Sequence, residues 1–223
     1  MNASRLARLT AAFALAAASL NAIAATELAP EARAVGREWV FTALLDGKPI
    51  GEHRFSVKAQ GDDRQLTSEA RFDVKFFGFT AYRYRHQATE HWRGDCLDRI
   101  TASTDDNGKP FTVKGERSGD ALQVKANVGA ESLPGCVMSF AYWNPAILKQ
   151  TKLLNAQTGK LEPVRIARGG TTPVAVRGKT VQAVAWQITG PDSPIDVLLS
   201  PEGEWIGLDS TVSGNRRLTY RLP

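Results

Sequence analysis

The spacing of turn signals constrains this chain most. From Arg37 onward, runs of four to about fourteen residues with alternating apolar and polar side chains are divided by short Gly/Asp/Asn clusters: Asp46-Gly47-Lys48-Pro49, Gly61-Asp62-Asp63, Gly94-Asp95, Asp105-Asp106-Asn107-Gly108 and Ser118-Gly119-Asp120. Asn-Gly and Asp-Gly steps tolerate positive φ at both central positions and close two-residue hairpins. Parallel strands need a crossover of a dozen or more residues, and these gaps leave no room for one. The pattern predicts an all-β fold built as a single strongly curved antiparallel sheet or open β-barrel.

The individual runs carry period-2 patterning. Trp39, Phe41, Ala43 and Leu45 alternate with more polar neighbours; Ile50 to Lys58 follows with Phe55 and Val57 on one face; Leu66 to Phe77 is a long strand broken at Gly78. Further strands are read at Phe111–Glu116, Leu122–Ala126, Val164–Ala167, Pro173–Val176, Val181–Ile188, Ile195–Ser200, Trp205–Val212 and Leu218–Leu222. Thr80 to Arg93 is the most informative run. Tyr82, Tyr84, His86, Ala88, Glu90 and Trp92 share one face, and Arg83, Arg85, Gln87, Thr89, His91 and Arg93 share the other. One face is aromatic with two titratable groups, and the other is polar and basic. After the Leu133-Pro134-Gly135-Cys136 turn, Val137 to Gln150 breaks the alternation, and Pro145 preceded by Asn144 predicts one short helix with Asn144 as its N-cap.

The N-terminus has the layout of a secretory signal over residues 1–24: Arg5 and Arg8, an alanine-rich apolar run from Leu9 to Leu20, and a small-x-small site at Ala22-Ile23-Ala24. Residues 25–223 then form one antiparallel β domain, expected in the periplasm without a lipid anchor, because no cysteine lies near the cleavage site. The full chain carries 28 basic and 23 acidic residues; without the two leader arginines the excess falls to +3. That small, scattered excess does not point to nucleic acid, although loose contact with a membrane surface stays open. In an oxidising compartment Cys96 and Cys136 are either a disulfide or two buried thiols.

No phosphate-binding loop, dinucleotide fingerprint or nucleophile elbow occurs, and no cofactor is expected. His86 and His91 point to opposite faces of a strand, so a two-histidine metal site would need His53 from another strand, and no metal is expected. Arg71, Arg83 and Arg85 are suited to a phosphate or carboxylate if they face the inside of a curved sheet; if they face out they are a solvated strand face. Tyr82, Tyr84, Tyr142 and Trp143, with Phe76, Phe77 and Phe79, either line an apolar cavity or form ordinary core.

Leu45 to Phe55, Ser68 to Phe76, Tyr82 to His86, Glu90 to Trp92, and above all Leu133-Pro134-Gly135-Cys136-Val137-Met138-Ser139-Phe140-Ala141-Tyr142-Trp143-Asn144-Pro145 resemble a family of exported bacterial proteins of unknown function. The resemblance spans most of the chain after the leader and implies class and compartment, with no activity to carry over. Barrel mouths commonly host apolar ligands. The leading expectation is a periplasmic binding or carrier protein for a lipid-like or other apolar ligand, held by Arg71, Arg83, Arg85, Tyr82, Tyr84, His53, His86, Glu90, Tyr142 and Trp143. A hydrolytic or lipid-modifying enzyme using His53, His86, Glu90 or Cys136 is the alternative. A structural module binding other envelope proteins is the third reading and predicts a filled interior.

Overall fold

The computed structural model describes residues 35–223. The signal read over residues 1–24, and the lead-in that follows it, lie outside the described residues. Eight strands run from the N-terminal side: β1 (Val35–Leu45), β2 (Lys48–Gln60), β3 (Asp63–Phe76), β4 (Phe79–Arg93), β5 (Cys96–Asp106), β6 (Lys109–Ser118), β7 (Ala121–Ala126) and β8 (Gly129–Pro134). A short ribbon, β9 (Lys152–Leu154) and β10 (Leu161–Pro163), precedes β11 (Arg165–Val176), β12 (Lys179–Thr189), β13 (Ile195–Leu199), β14 (Trp205–Val212) and β15 (Arg216–Arg221).

Thirteen of these strands form one antiparallel sheet in the order β11-β12-β13-β14-β15-β1-β2-β3-β4-β5-β6-β7-β8. It is two meanders zipped together where the last strand pairs with the first, Thr42 opposite Arg221 and Leu45 opposite Leu218. Among the described residues β8 and β11 are the two unpaired edges, so the sheet is an open barrel, as the turn spacing predicts. Tight turns build it: Asp46-Gly47 and Asn107-Gly108 both take positive φ at the two positions, and the Asp105 carboxylate accepts from Gly108 N at 2.6 Å.

Alternation along each strand sets the inside. Trp39, Phe41 and Ala43 on β1, Leu66, Ala70 and Phe72 on β3, and Ala88 and Trp92 on β4 are all buried in one connected core, and Leu45 at the end of β1 is buried as well. Trp205 on β14 ties this core together, with ring centroids 4.5 Å from Phe41, 4.8 Å from Phe55 and 6.0 Å from Trp39.

The segment joining the two free edges, residues 135–164, fills much of the interior. Val137, Met138, Ser139, Ala141, Ile147, Leu153 and Leu154 are all buried. It enters beside β5, where Leu97 N donates to Val137 O at 2.8 Å and Cys96 is bonded to Cys136. Gly159, at φ +74, lets it approach β7: a Cβ there would sit 2.4 Å from the Ala126 Cβ. The expected helix is a single 3₁₀ segment, Pro145–Lys149, and Asn144 caps it by accepting from Ala146 N at 3.0 Å.

Besides β5 and the short β9–β10 ribbon, which the alternating runs do not name, two strand readings change. Val164–Ala167 and Pro173–Val176 are parts of one strand, β11, whose register shifts between Arg168 and Thr171 around Gly169-Gly170. Gly129–Pro134, unread in the sequence, pairs along β7 from Ala126–Gly129 to Ala121–Pro134.

Candidate functional site

Register brings the site together. His53 on β2 lies opposite Ala70 on β3, which lies opposite His86 on β4, which lies opposite Thr104 on β5. This inward-facing row therefore carries two imidazoles separated by one alanine, with ring centroids 6.4 Å apart. His53 meets Ser68 Oγ through Nε2 at 2.7 Å and Tyr220 Oη through Nδ1 at 3.2 Å. His86 meets Thr104 Oγ1 through Nδ1 at 2.8 Å. Burial, with the neighbouring His86, holds His53 well below the ordinary imidazole range. Burial takes His86 down to about 4. Both rings are neutral at pH 7.

Glu90 lies four residues beyond His86 on the same face and is 3% exposed. Its Oε2 accepts from Trp92 Nε1 at 3.0 Å and from Ser139 Oγ at 3.1 Å. Burial pushes its carboxyl up to about 7, against these two hydrogen bonds. Tyr84 donates to Gln157 Oε1 at 3.0 Å, and burial raises the phenols of Tyr84 and Tyr142 above their ordinary range.

His53, His86, Glu90, Tyr84, Ser139 and Tyr142 all line one pocket of about 210 Å³ between the sheet and the inserted segment. Phe55, Leu66, Ala88, Phe140 and Ile195 supply an apolar wall. Five of the ten residues singled out in the sequence thus meet at one place. Ser68, Ser139 and Gln157 were not among them, and neither was Tyr220, which bonds His53 from behind the wall. Ser139 sits in the motif-bearing segment, which was the one available signal; the others depend on cross-strand register.

The remaining five lie elsewhere. Arg71, Arg83 and Arg85 occupy the opposite face, so the inward orientation on which head-group binding depended is not met. Alternation alone explains this, since Tyr82, Tyr84 and His86 take the inside. Arg85 bonds Asp73 at 2.7 Å and also the carbonyls of Phe72 and Tyr84; Arg83 shares Asp73 at 3.4 Å; Arg71 pairs with Glu69. Tyr82 bonds Asp106 at 2.6 Å, nearer the sheet end. Trp143 packs edge-on against Trp92 at 5.5 Å under the Arg64 guanidinium. Cys136 is spent in the disulfide and is no nucleophile. Among the described residues, no group of three or more His, Cys, Asp and Glu is placed to hold a metal ion.

Replacing both Arg83 and Arg85 by Gln is expected to leave pocket binding unchanged and to cost under about 2 kcal/mol, because half-exposed ion pairs contribute little. Urea midpoints and the alcohol titration described below check this. Loss of binding would return the arginines to the site.

The family model for a domain of unknown function, DUF6134, matches residues 41–222. The chain belongs to the DUF6134 family. That match contains the whole pocket, from His53 to Ile195, together with Tyr220, Cys96 and Cys136. No curated protein matches the DUF6134 chain. Among solved structures it is similar to a β-barrel-like protein of the DUF1849 domain of unknown function from Brucella abortus, at 12% identity and TM-score 0.60, over 86% of this chain and 97% of that one. At that identity the likeness concerns the fold.

Proposed function

We propose that this DUF6134 chain binds a small, uncharged, apolar molecule with one hydrogen-bonding end. One observation carries the reading: the same pocket joins an apolar wall to a polar wall of buried His86 and Glu90 and half-buried His53. Both nitrogens of His53 already have partners, whereas His86 bonds through Nδ1 and Glu90 through Oε2, so His86 Nε2 and Glu90 Oε1 are the atoms a ligand's polar end would meet. Two neutral imidazoles and a carboxyl near its neutral point favour a neutral partner over an anion. A volume of about 210 Å³ holds roughly seven water-sized groups, so a lipid-like ligand would enter by a short chain or by its end. The inserted segment takes the space a longer chain would need, and here the filled interior expected of a structural module is partly realised. We place this binding in the periplasm, a reading supported by the signal-like leader and the disulfide.

The test is native mass spectrometry of the purified chain, followed by calorimetric titration with hexan-1-ol and hexanoate. Hexan-1-ol is expected to bind at about 0.1–1 mM, given its size, and hexanoate at least tenfold more weakly at pH 8. Ala156→Phe, which fills the pocket from the inserted segment, is expected to abolish binding. Equal affinity for both probes, or binding that survives Ala156→Phe, would sink the reading.

A hydrolytic reading has one supporting contact, Ser68 Oγ to His53 Nε2 at 2.7 Å, which is a nucleophile and base within reach. The other nitrogen of His53 meets a tyrosine hydroxyl where a catalytic triad places a carboxylate. Labelling of Ser68 by a fluorophosphonate probe would favour that reading over simple binding.

A further inference from the structure

The β3–β4 hairpin ends in Phe77-Gly78-Phe79. Phe77 is 85% exposed and Phe79 is 79% exposed. Among the described residues the only other large exposed hydrophobic is Val128, so two of three sit on one turn. Phe77 also takes φ +49, in the left-handed region that a bulky side chain rarely adopts. Asn or Gly would serve this turn at no steric cost. Two large apolar side chains so exposed on one turn argue for a surface that meets this end of the sheet.

The surroundings say which surface. Beside the tip lies an open groove of about 790 Å³ with an apolar floor of Leu45, Pro49, Ile50 and Val74. Lys48, Lys75 and Arg216 border it. Arg216 is paired with Asp46, and Asp73 is shared by Arg83 and Arg85. Lys48 and Lys75 have no ion pair among the described residues. We propose that this end of the sheet docks on an anionic lipid bilayer, with Phe77 and Phe79 entering the acyl boundary and Lys48 and Lys75 lying at the phosphates. Apolar insertion combined with basic side chains at head-group level is the physical basis of peripheral membrane binding. A protruding two-ring tip fits a fluid layer. A symmetric contact with a second copy would bring the same lysines face to face.

The experiment is co-sedimentation of the full chain with vesicles of phosphatidylglycerol and phosphatidylethanolamine, or of phosphatidylcholine alone. The substitutions are made in that same chain, so residues outside 35–223 contribute equally to every sample. Binding is expected to the anionic vesicles, weakening at 0.5 M salt. Phe77→Ser/Phe79→Ser should weaken it at least about tenfold. Lys48→Gln/Lys75→Gln leaves the hairpin tip intact and should weaken it by at least about fivefold. Absence of binding at millimolar lipid, or partition of the phenylalanine variant equal to that of the unaltered chain, overturns the proposal. Concentration-dependent dimerisation lost in that variant, without vesicle binding, overturns it in favour of self-association.

Discussion

Replacing Cys96 and Cys136 together by alanine is expected to cost about 4 kcal/mol of stability, the chain-entropy value for a cross-link spanning 40 residues. The contacts around the bridge persist without it. Leu97 N still donates to Val137 O, and the Arg117 guanidinium still donates to Gly135 O and Leu97 O, both at 3.0 Å. The folded entry of the inserted segment is therefore held by hydrogen bonds, and the bridge acts mainly by restricting the unfolded chain. Two readouts follow in urea: a lower midpoint, and a steeper slope because the open chain exposes more surface. A loss below about 1 kcal/mol would show that the bridge closes a region already ordered in the unfolded chain.

The fold was legible where side-chain alternation is strong, and the site was legible only up to the point where register decides. On β4 the sequence separates Tyr82, Tyr84, His86, Ala88, Glu90 and Trp92 from Arg83 and Arg85, and the structure keeps that division. It could not be read from β4 alone which face turns inward; the neighbouring rows, with Phe55 on β2 and Phe72 on β3, decide it. β8 went unread because Gly129, Ala130, Glu131 and Ser132 are exposed and weakly strand-forming, and pairing along β7 holds them. β11 reads as two strands because Gly169-Gly170 interrupts the pattern, whereas a bulge carries the strand across. His53 and His86 meet because β3 places Ala70 between them, and His53 meets Tyr220 because the last strand pairs with the first. These are long-range pairings that no local pattern encodes. The disulfide was one of two open readings, and the geometry that selects it is the inserted segment passing β5.

Glu90 gives the second large effect, and its direction changes what pH does to the protein. Its carboxyl titrates at about 7 in the folded state against an ordinary value of 4.5. Stability from this raised pKa is fully present below pH 4.5 and is lost as pH rises through 7, a difference of about 3 kcal/mol. The two histidines act oppositely. With His86 at about 4 against 6.5 and His53 lowered in the same sense, their contribution is present above pH 6.5 and is lost as pH falls. Together these groups predict greatest stability near pH 6.5. Glu90→Gln removes one side of this balance. The amide oxygen can still accept from Trp92 Nε1 and Ser139 Oγ, so both hydrogen bonds survive while the buried negative charge does not form. The histidines are common to both proteins and drop out of the difference. The gap between Glu90→Gln and the unaltered chain should therefore be small at pH 4.5, open between pH 5 and 7, and reach about 2–3 kcal/mol in favour of the variant at pH 8. Urea unfolding at a series of pH values measures it directly. A gap constant with pH would mean that Glu90 titrates near its ordinary value, and the neutral character assigned to the pocket would fall with it.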